Sequence, residues 1–267
     1  MSNVIVTALA SDAAYLSTKN NPIIGYHNVV EASGLTSTTA LDGYPVSNLA
    51  NSSTALVWKG DSGSTEYITV VTTGEVDYMA IARHNMFTAG CTLSVEYYDG
   101  SSWVEIVAAF VPEDDEPILI RFPLVAYGQV RLKIQNATVD PYIAIMYVGQ
   151  LLVLQRRIFV GHSPARLSRK PTTLNAVSEN GNFLGRITVS EMNGSSVQMQ
   201  NLDPEWYREL FDPFLVAARD EPFFFAWRPY DFPDELSFAW LTDMPQPSNQ
   251  LPNGMMSVSF SFTAIQG

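Results

Sequence analysis

Tyr44–Gly60 reads YPVSNLANSSTALVWKG. Pro45 sets a turn, because its ring fixes φ. A polar run of Ser and Thr follows, then a lone Trp58, then the break at Lys59-Gly60. Beyond it the chain changes to short alternating apolar segments, so the stretch marks the opening of a β-sandwich.

Seven strands are predicted outward from that opening: Glu66–Val71, Val76–Ala82, Thr92–Tyr98, Trp103–Val107, Pro117–Phe122, Gln129–Ile134 and Tyr142–Val148. Turn signals separate them at Thr73-Gly74, Ala89-Gly90, Asp99-Gly100, Pro112–Asp115 and Asn136–Pro141. Asp99-Gly100 predicts a hairpin, since Gly accepts the positive φ that a tight turn needs. Short strands without intervening helices read as an antiparallel sandwich.

The composition agrees. The 267 residues are 46% hydrophobic and 16% charged, as in a folded protein with room for one large core or two modest ones. The net charge of −12 argues against nucleic-acid recognition. That charge is uneven: residues 1–154 hold 6 basic and 15 acidic residues, and 155–267 hold 9 and 12. The single cysteine, Cys91, excludes an internal disulfide and reads as a small buried residue. The N-terminus lacks a basic region and long apolar core, so no secretory signal is expected, and no segment has the apolar length of a membrane span.

Tyr44–Leu49, Trp58 and Glu66–Val70 together resemble the opening of a discoidin-type, galactose-binding-like jelly roll. Leu93–Tyr98 followed by Asp99–Trp103, and the strand Val130–Ile134, resemble later parts of that fold. The resemblance spans about half the chain and implies a domain that binds rather than catalyses. The family's usual Asp-Gly after Asn-Leu is Ala50-Asn51 here, which removes the Asp of a cation site.

The composition shifts over Leu151–Lys170, where five basic residues and no acid occur. Downstream, Leu184–Ser190 and Ser196–Gln200 are predicted strands, joined by an Asn193-Gly194 turn. Asp203-Pro204-Glu205 starts a helix near 203–218. Its buried face is read as Trp206, Leu210 and Phe214, with Tyr207, Phe211 and Leu215 beside them, and Pro213 kinks or restarts it at Asp212. Pro222–Trp227, Leu236–Leu241 and Met255–Ala264 are strands, the last with Val258, Phe260 and Phe262 inward. The flanking helix, the final alternating strand and the run Asp220–Pro229 resemble the tube-like module of phage tail proteins.

The predicted organisation is mainly β: an N-terminal arm at 1–25, a jelly-roll sandwich at 26–154, and a tail-tube-like second β-sandwich with one flanking α-helix at 155–267. Trp58, Lys59 and Trp103 are the candidate glycan contacts, because aromatic faces suit sugar rings. Arg156, Arg157, Arg166, Arg169 and Lys170 are the candidate oligomer interface, reaching for carboxylates of a neighbour. The acid run Glu113–Glu116 reads as a solvated loop rather than a calcium site. The three histidines share no metal-like spacing, and no catalytic motif, cofactor or metal site is expected. The resemblances imply a structural, non-enzymatic protein of a long-tailed phage tail tip or baseplate, made in the host cytoplasm. It would form a ring of its own copies, a hexamer before a trimer, contact other tail proteins, and bind a host glycan weakly. The rival expectation is a carbohydrate-binding adhesin or receptor-binding protein.

Overall fold

The structure, a computed structural model, describes residues 3–7, 12–158, 161–250, 252 and 254–265. The chain is mainly β, built of sandwich-type sheets with one principal helical segment. Three sheets stack as layers. The central sheet orders β1 (Val4–Val6), β9 (Ile118–Val125), β6 (Val76–His84), β11 (Tyr142–Gly149) and β4 (Trp58–Lys59). The outer sheet orders β3 (Leu35–Ser37), β5 (Glu66–Val71), β10 (Gln129–Gln135), β7 (Thr92–Tyr98) and β8 (Trp103–Phe110). The third sheet orders β12 (Leu152–Val153), β2 (Ile23–Gly25), β15 (Phe223–Ala226), β16 (Leu236–Leu241), β18 (Met256–Ile265), β14 (Phe183–Leu202) and β13 (Arg169–Val177), with β17 (Ser248–Asn249) also on β18.

Side chains on a strand alternate between faces, so a strand covered on one side alternates and one covered on both is apolar throughout. In the outer sheet, β10 (QVRLKIQ) buries Val130, Leu132 and Ile134 and presents Arg131 and Lys133 outward. In the central sheet, β6 and β11 are buried almost end to end. Met79, Ile81, Met146 and Val148 face the outer sheet. Tyr78, Ala80, Ala82, Ala144 and Tyr147 face the third sheet, against Ile23, Phe224 and Phe238. The alanines leave room for the rings, and Tyr147 meets Phe224 and Phe238 edge-on at 5.5 and 6.3 Å.

The described strands of the first 25 residues are divided between the two halves. β1 pairs in parallel with β9, while β2 pairs with β12 and β15 of the third sheet. The backbone N–H groups of Asn3 and Val4 donate to Pro233 O. Tyr78 Oη donates to His27 O at 2.6 Å, and Tyr147 Oη donates to Pro222 O at 3.0 Å. At Gly149 a Cβ would lie 2.2 Å from His27 O, so only glycine lets these backbones meet.

The last predicted strand pattern holds: Val258, Phe260 and Phe262 point inward on β18, against the helix. Asp203 caps that helix by accepting from the N–H groups of Glu205 and Trp206. The first turn, α2 (Pro204–Trp206), runs through a π-turn (Tyr207–Phe211) into α3 (Asp212–Ala218). The restart falls where Pro213, which has no N–H to donate, breaks the ladder. The wider turn rotates the buried face onto Tyr207, Phe211, Phe214, Leu215 and Ala218, and Leu210, expected inward, is exposed.

Asn193-Gly194 is not a turn. Asn193 pairs with Ala264 and Gly194 with Thr263, so β14 runs unbroken for 20 residues. A Cβ on Gly194 would come within 3.1 Å of Phe262 O, so this glycine serves close strand approach. The reversal lies at Asn180-Gly181, where Gly181 has φ +79° between β13 and β14. Asp99-Gly100 is a turn as expected, with Gly100 at φ +97°.

Asp77 sits where the sandwich meets the third sheet, accepting from the N–H of Leu151 at 2.7 Å. Burial lifts its pKa to about 6, opposed by that N–H and by the Arg121 charge. A raised carboxyl pKa means the fold favours the protonated form. Stability therefore falls as pH rises from about 4 to about 6, while the unfolded chain ionises first, and the full cost persists above that window. Asp77→Asn keeps an oxygen acceptor and removes the charge. Chemical denaturation at neutral pH is expected to show a gain of up to about 3 kcal/mol, with a flatter pH profile between 4 and 7.

Candidate functional site

The opening stretch builds the end of the sandwich. Pro45 precedes a 3-10 turn over Val46–Ala50, which buries Leu49. Asn48 Nδ2 donates to Val57 O at 2.8 Å and fixes the return of the chain. On β4 the alternation then sends Trp58 inward and Lys59 outward. Trp58 is fully buried, with Nε1 donating to Thr39 O at 3.0 Å. Beside it, the buried Glu66 carboxylate accepts from Thr39 N at 3.0 Å, Thr39 Oγ1 at 2.6 Å and Ser64 Oγ at 2.7 Å. Expected as a sugar contact, Trp58 is instead a core residue, because strand parity turns it away from solvent.

Lys59, the other expected contact on this strand, is partly exposed. It is paired in register with Tyr142 on β11, and its Nζ lies 4.3 Å from the centre of the Tyr44 ring. Tyr44, Lys59, Tyr142, Arg83, Thr54 and Val57 line a cavity of about 280 Å³. Arg83 has φ +53°, the left-handed region that side chains with a Cβ seldom adopt. Asn85 holds the neighbouring strand start, accepting from Tyr142 N at 2.7 Å and donating to Asp140 O at 3.0 Å. Neither Lys59 nor Arg83 meets a carboxylate among the described residues. In a chain of net charge −12, two unneutralised cations beside two phenol rings form a distinct local field.

Trp103 lies elsewhere, on the outward face of the outer sheet. The Arg131 guanidinium carbon stands 4.0 Å from both the Trp103 and Tyr67 ring centres. Glu96 fixes Arg131 through Nε at 2.6 Å and also meets Lys133 at 3.4 Å. Tyr98 packs beside Trp103 at 5.4 Å. One face of the Trp103 ring is thus already occupied, and Trp103 shares no cavity with Lys59.

The five basic residues divide. Arg166 is committed within the chain: Nη1 donates to Asp234 O at 2.6 Å, and Nη2 reaches Asp114 at 3.9 Å. Arg156 Nε donates to Asn201 O at 2.6 Å. Arg169 meets Glu191 across the hairpin at 3.6 Å, and Lys170 lies by Gly194. Arg157 is exposed and forms no ion pair among the described residues.

Other titratable groups are structural. Asp115 accepts from the N–H groups of Phe87 and Thr88, and Asp114 accepts from Asn3 Nδ2 at 3.2 Å, so the acid run pins neighbouring segments. His84 is buried, which pulls its pKa to about 4, and its Nδ1 accepts from Met86 N. Burial pushes Cys91 up to about 11, the inert state of a packed thiol. Among the described residues no group of His, Cys, Asp and Glu is arranged to hold a metal.

No family model and no curated protein matches the chain. Solved structures that share part of its course include a pectin-binding carbohydrate-binding module, 14% identical over 46% of this chain and 91% of that one, with a TM-score of 0.37. Another is a carbohydrate-binding module of Clostridium perfringens in complex with GalNAc-β-1,3-galactose, 12% identical over 43% of this chain and 93% of that one, TM-score 0.38. A third is a chitosan-binding module from a Paenibacillus chitosanase/glucanase, 17% identical over 46% of this chain and 98% of that one, TM-score 0.38. The three sheets described above define the fold without them.

Trp58 gives a direct check on the assignment of roles. Trp58→Ala is expected to destabilise the protein by about 3–5 kcal/mol, the cost of emptying a large core site. An unchanged denaturation midpoint in that variant would place the ring outside the core.

Proposed function

We propose that the chain is a non-catalytic saccharide-binding protein, with the cavity at Tyr44, Lys59, Arg83 and Tyr142 as its site. The observation that supports this reading is the convergence of two rings and two unneutralised cations at the end of the sandwich. Rings offer an apolar face to a pyranose, while Arg and Lys donate to its oxygens. The residues lining the cavity include no carboxylate pair, the arrangement that most glycoside hydrolases use. The test is calorimetric titration against a panel of neutral and acidic oligosaccharides. Arg83→Ala is expected to weaken binding at least tenfold, since hydrogen bonds to a charged group contribute roughly 1.5–3 kcal/mol. Absence of binding across the panel, or full affinity in the variant, refutes the site.

A second reading is favoured by a separate observation, the long β13–β14 hairpin with apolar side chains in solvent. In this reading the protein is an architectural connector of a phage tail tip, assembling as a ring with its own copies and displaying the sandwich outward. Negative-stain microscopy of the purified protein is expected to show rings, and uniformly monomeric particles would remove this reading.

A further inference from the structure

Arg83 sits on a backbone that a residue with a Cβ seldom adopts, and its side chain has no polar partner within the fold. Its φ is +53°, between the buried residues Ala82 and His84 that anchor the strand on either side. Glycine would relieve that conformation, yet the position carries a guanidinium. Arg83 is exposed and forms no hydrogen bond, ion pair or ring contact among the described residues. Its five donors are open at the cavity it lines. Strained backbone of this kind clusters at ligand clamps.

Lys59 brings a second charge to the same cavity. Its Nζ stands 4.3 Å from the centre of the Tyr44 ring, so one face of that ring is already taken by an ammonium. A neutral pyranose depends on open ring faces, and Tyr142 with the far side of Tyr44 is what remains. Two cations and no acid line the cavity. The acids nearest to these residues in sequence are Asp42, Asp61 and Asp140. Asp61 accepts from the N–H of Gly63 at 3.0 Å and Asp140 from the N–H of Ser62 at 3.3 Å, so both carboxylates serve the neighbouring loop. Asp42 is exposed and pairs with neither cation.

A hydrogen bond to an ionised group is roughly twice as strong as a neutral one, so these donors favour an anionic oxygen over a hydroxyl. The guanidinium fork matches a planar carboxylate with two parallel bonds, and the ammonium adds a point charge. At about 280 Å³ the cavity is small for a ligand site, which suits a single sugar ring with its anion attached directly. A uronic acid has that form, its carboxylate being bonded to a ring carbon. The overall charge of −12 opposes such a ligand only at long range, since salt screens exposed charges beyond about 8–10 Å. We infer that the cavity takes a uronic acid residue of an acidic saccharide, with Arg83 and Lys59 on the carboxylate and Tyr142 against the ring. This inference rests on the saccharide reading and names the class of sugar.

Calorimetric titration of the full chain tests it. The probes are trisaccharides of galacturonate, glucuronate and mannuronate, each beside its methyl ester, which keeps the sugar and removes the charge. At least one free acid is expected to bind roughly tenfold more tightly than its ester. Raising salt from about 0.1 to about 1 M, which shortens the screening length from about 10 to about 3 Å, is expected to weaken the acid and not the ester. Arg83→Gln/Lys59→Gln is expected to bring the acid down to the affinity of its ester. Both positions lie outside the core, so the melting temperature of that variant is expected to match the wild type. Equal affinity for acid and ester in the wild type overturns the uronate inference and leaves the saccharide reading standing. Tighter binding of a sulfated galactose trisaccharide than of every uronate does the same. An acid preference that survives in the variant overturns the assignment to this cavity. If no acid and no ester binds, the uronate inference falls, and neutral oligosaccharides alone then decide the saccharide reading.

Discussion

The whole structure depends on a sheet buried on both faces. β6 and β11 cannot satisfy water on either side, since Tyr78, Ala80 and Tyr147 alternate with Met79, Ile81 and Met146. Each face needs a separate apolar layer. The outer sheet supplies one, and the third sheet supplies the other through Ile23, Phe224 and Phe238. The two halves of the chain therefore share a continuous buried seam, where apolar area leaving water is worth roughly 25 cal/mol per Å². β15 repeats the arrangement: Phe224 enters this seam, while Phe223 and Phe225 enter the core under the helix.

That seam explains the polar details around it. Buried hydroxyls need acceptors, and Tyr78 and Tyr147 find them in the carbonyls of His27 and Pro222, on segments that belong to the other layer. Asp77 meets the N–H of Leu151 at the corner where the chain leaves the sandwich. The first residues fasten the same corner, with β1 on the central sheet and β2 on the third. The segment read from sequence as an arm is thus divided between two layers, and its short apolar pieces Val4–Val6 and Ile23–Gly25 are the parts that pair.

Strands with one wet face were legible from sequence, because alternation carries their signal: Glu66–Val71 is observed at the expected bounds, and Gln129–Gln135 one residue beyond the expected end. What alternation cannot carry is which layer covers a strand apolar on both faces, so the seam was not visible. Local turn chemistry misled once for the same reason. Asn193-Gly194 and Asn180-Gly181 are the same dipeptide, and only the distant pairing with β18 makes the first a strand and the second a turn. Of the candidate cavity's lining, Lys59 alone was singled out from sequence. Lys59 and Trp58 are neighbours in sequence, and strand parity alone sends one to solvent and the other to the core. Arg83 and Tyr142 reach the cavity from β6 and β11, which lie far from Lys59 in sequence, and no local pattern announces that approach.

The basic residues show how a charge run is resolved by geometry. Read as a string, Arg156, Arg157, Arg166, Arg169 and Lys170 form one patch. In the fold, Arg166 is drawn to Asp234 and Asp114, bracing the base of the hairpin against both halves of the molecule. Such half-exposed pairs add little stability alone, but they fix direction. Beyond that base the exposed side chains of the hairpin have no layer of their own to meet. The apolar projection is then the consequence of one division: residues 193–202 of β14 lie along β18 and hold the fold, and residues 183–192 have only β13 beside them among the described residues.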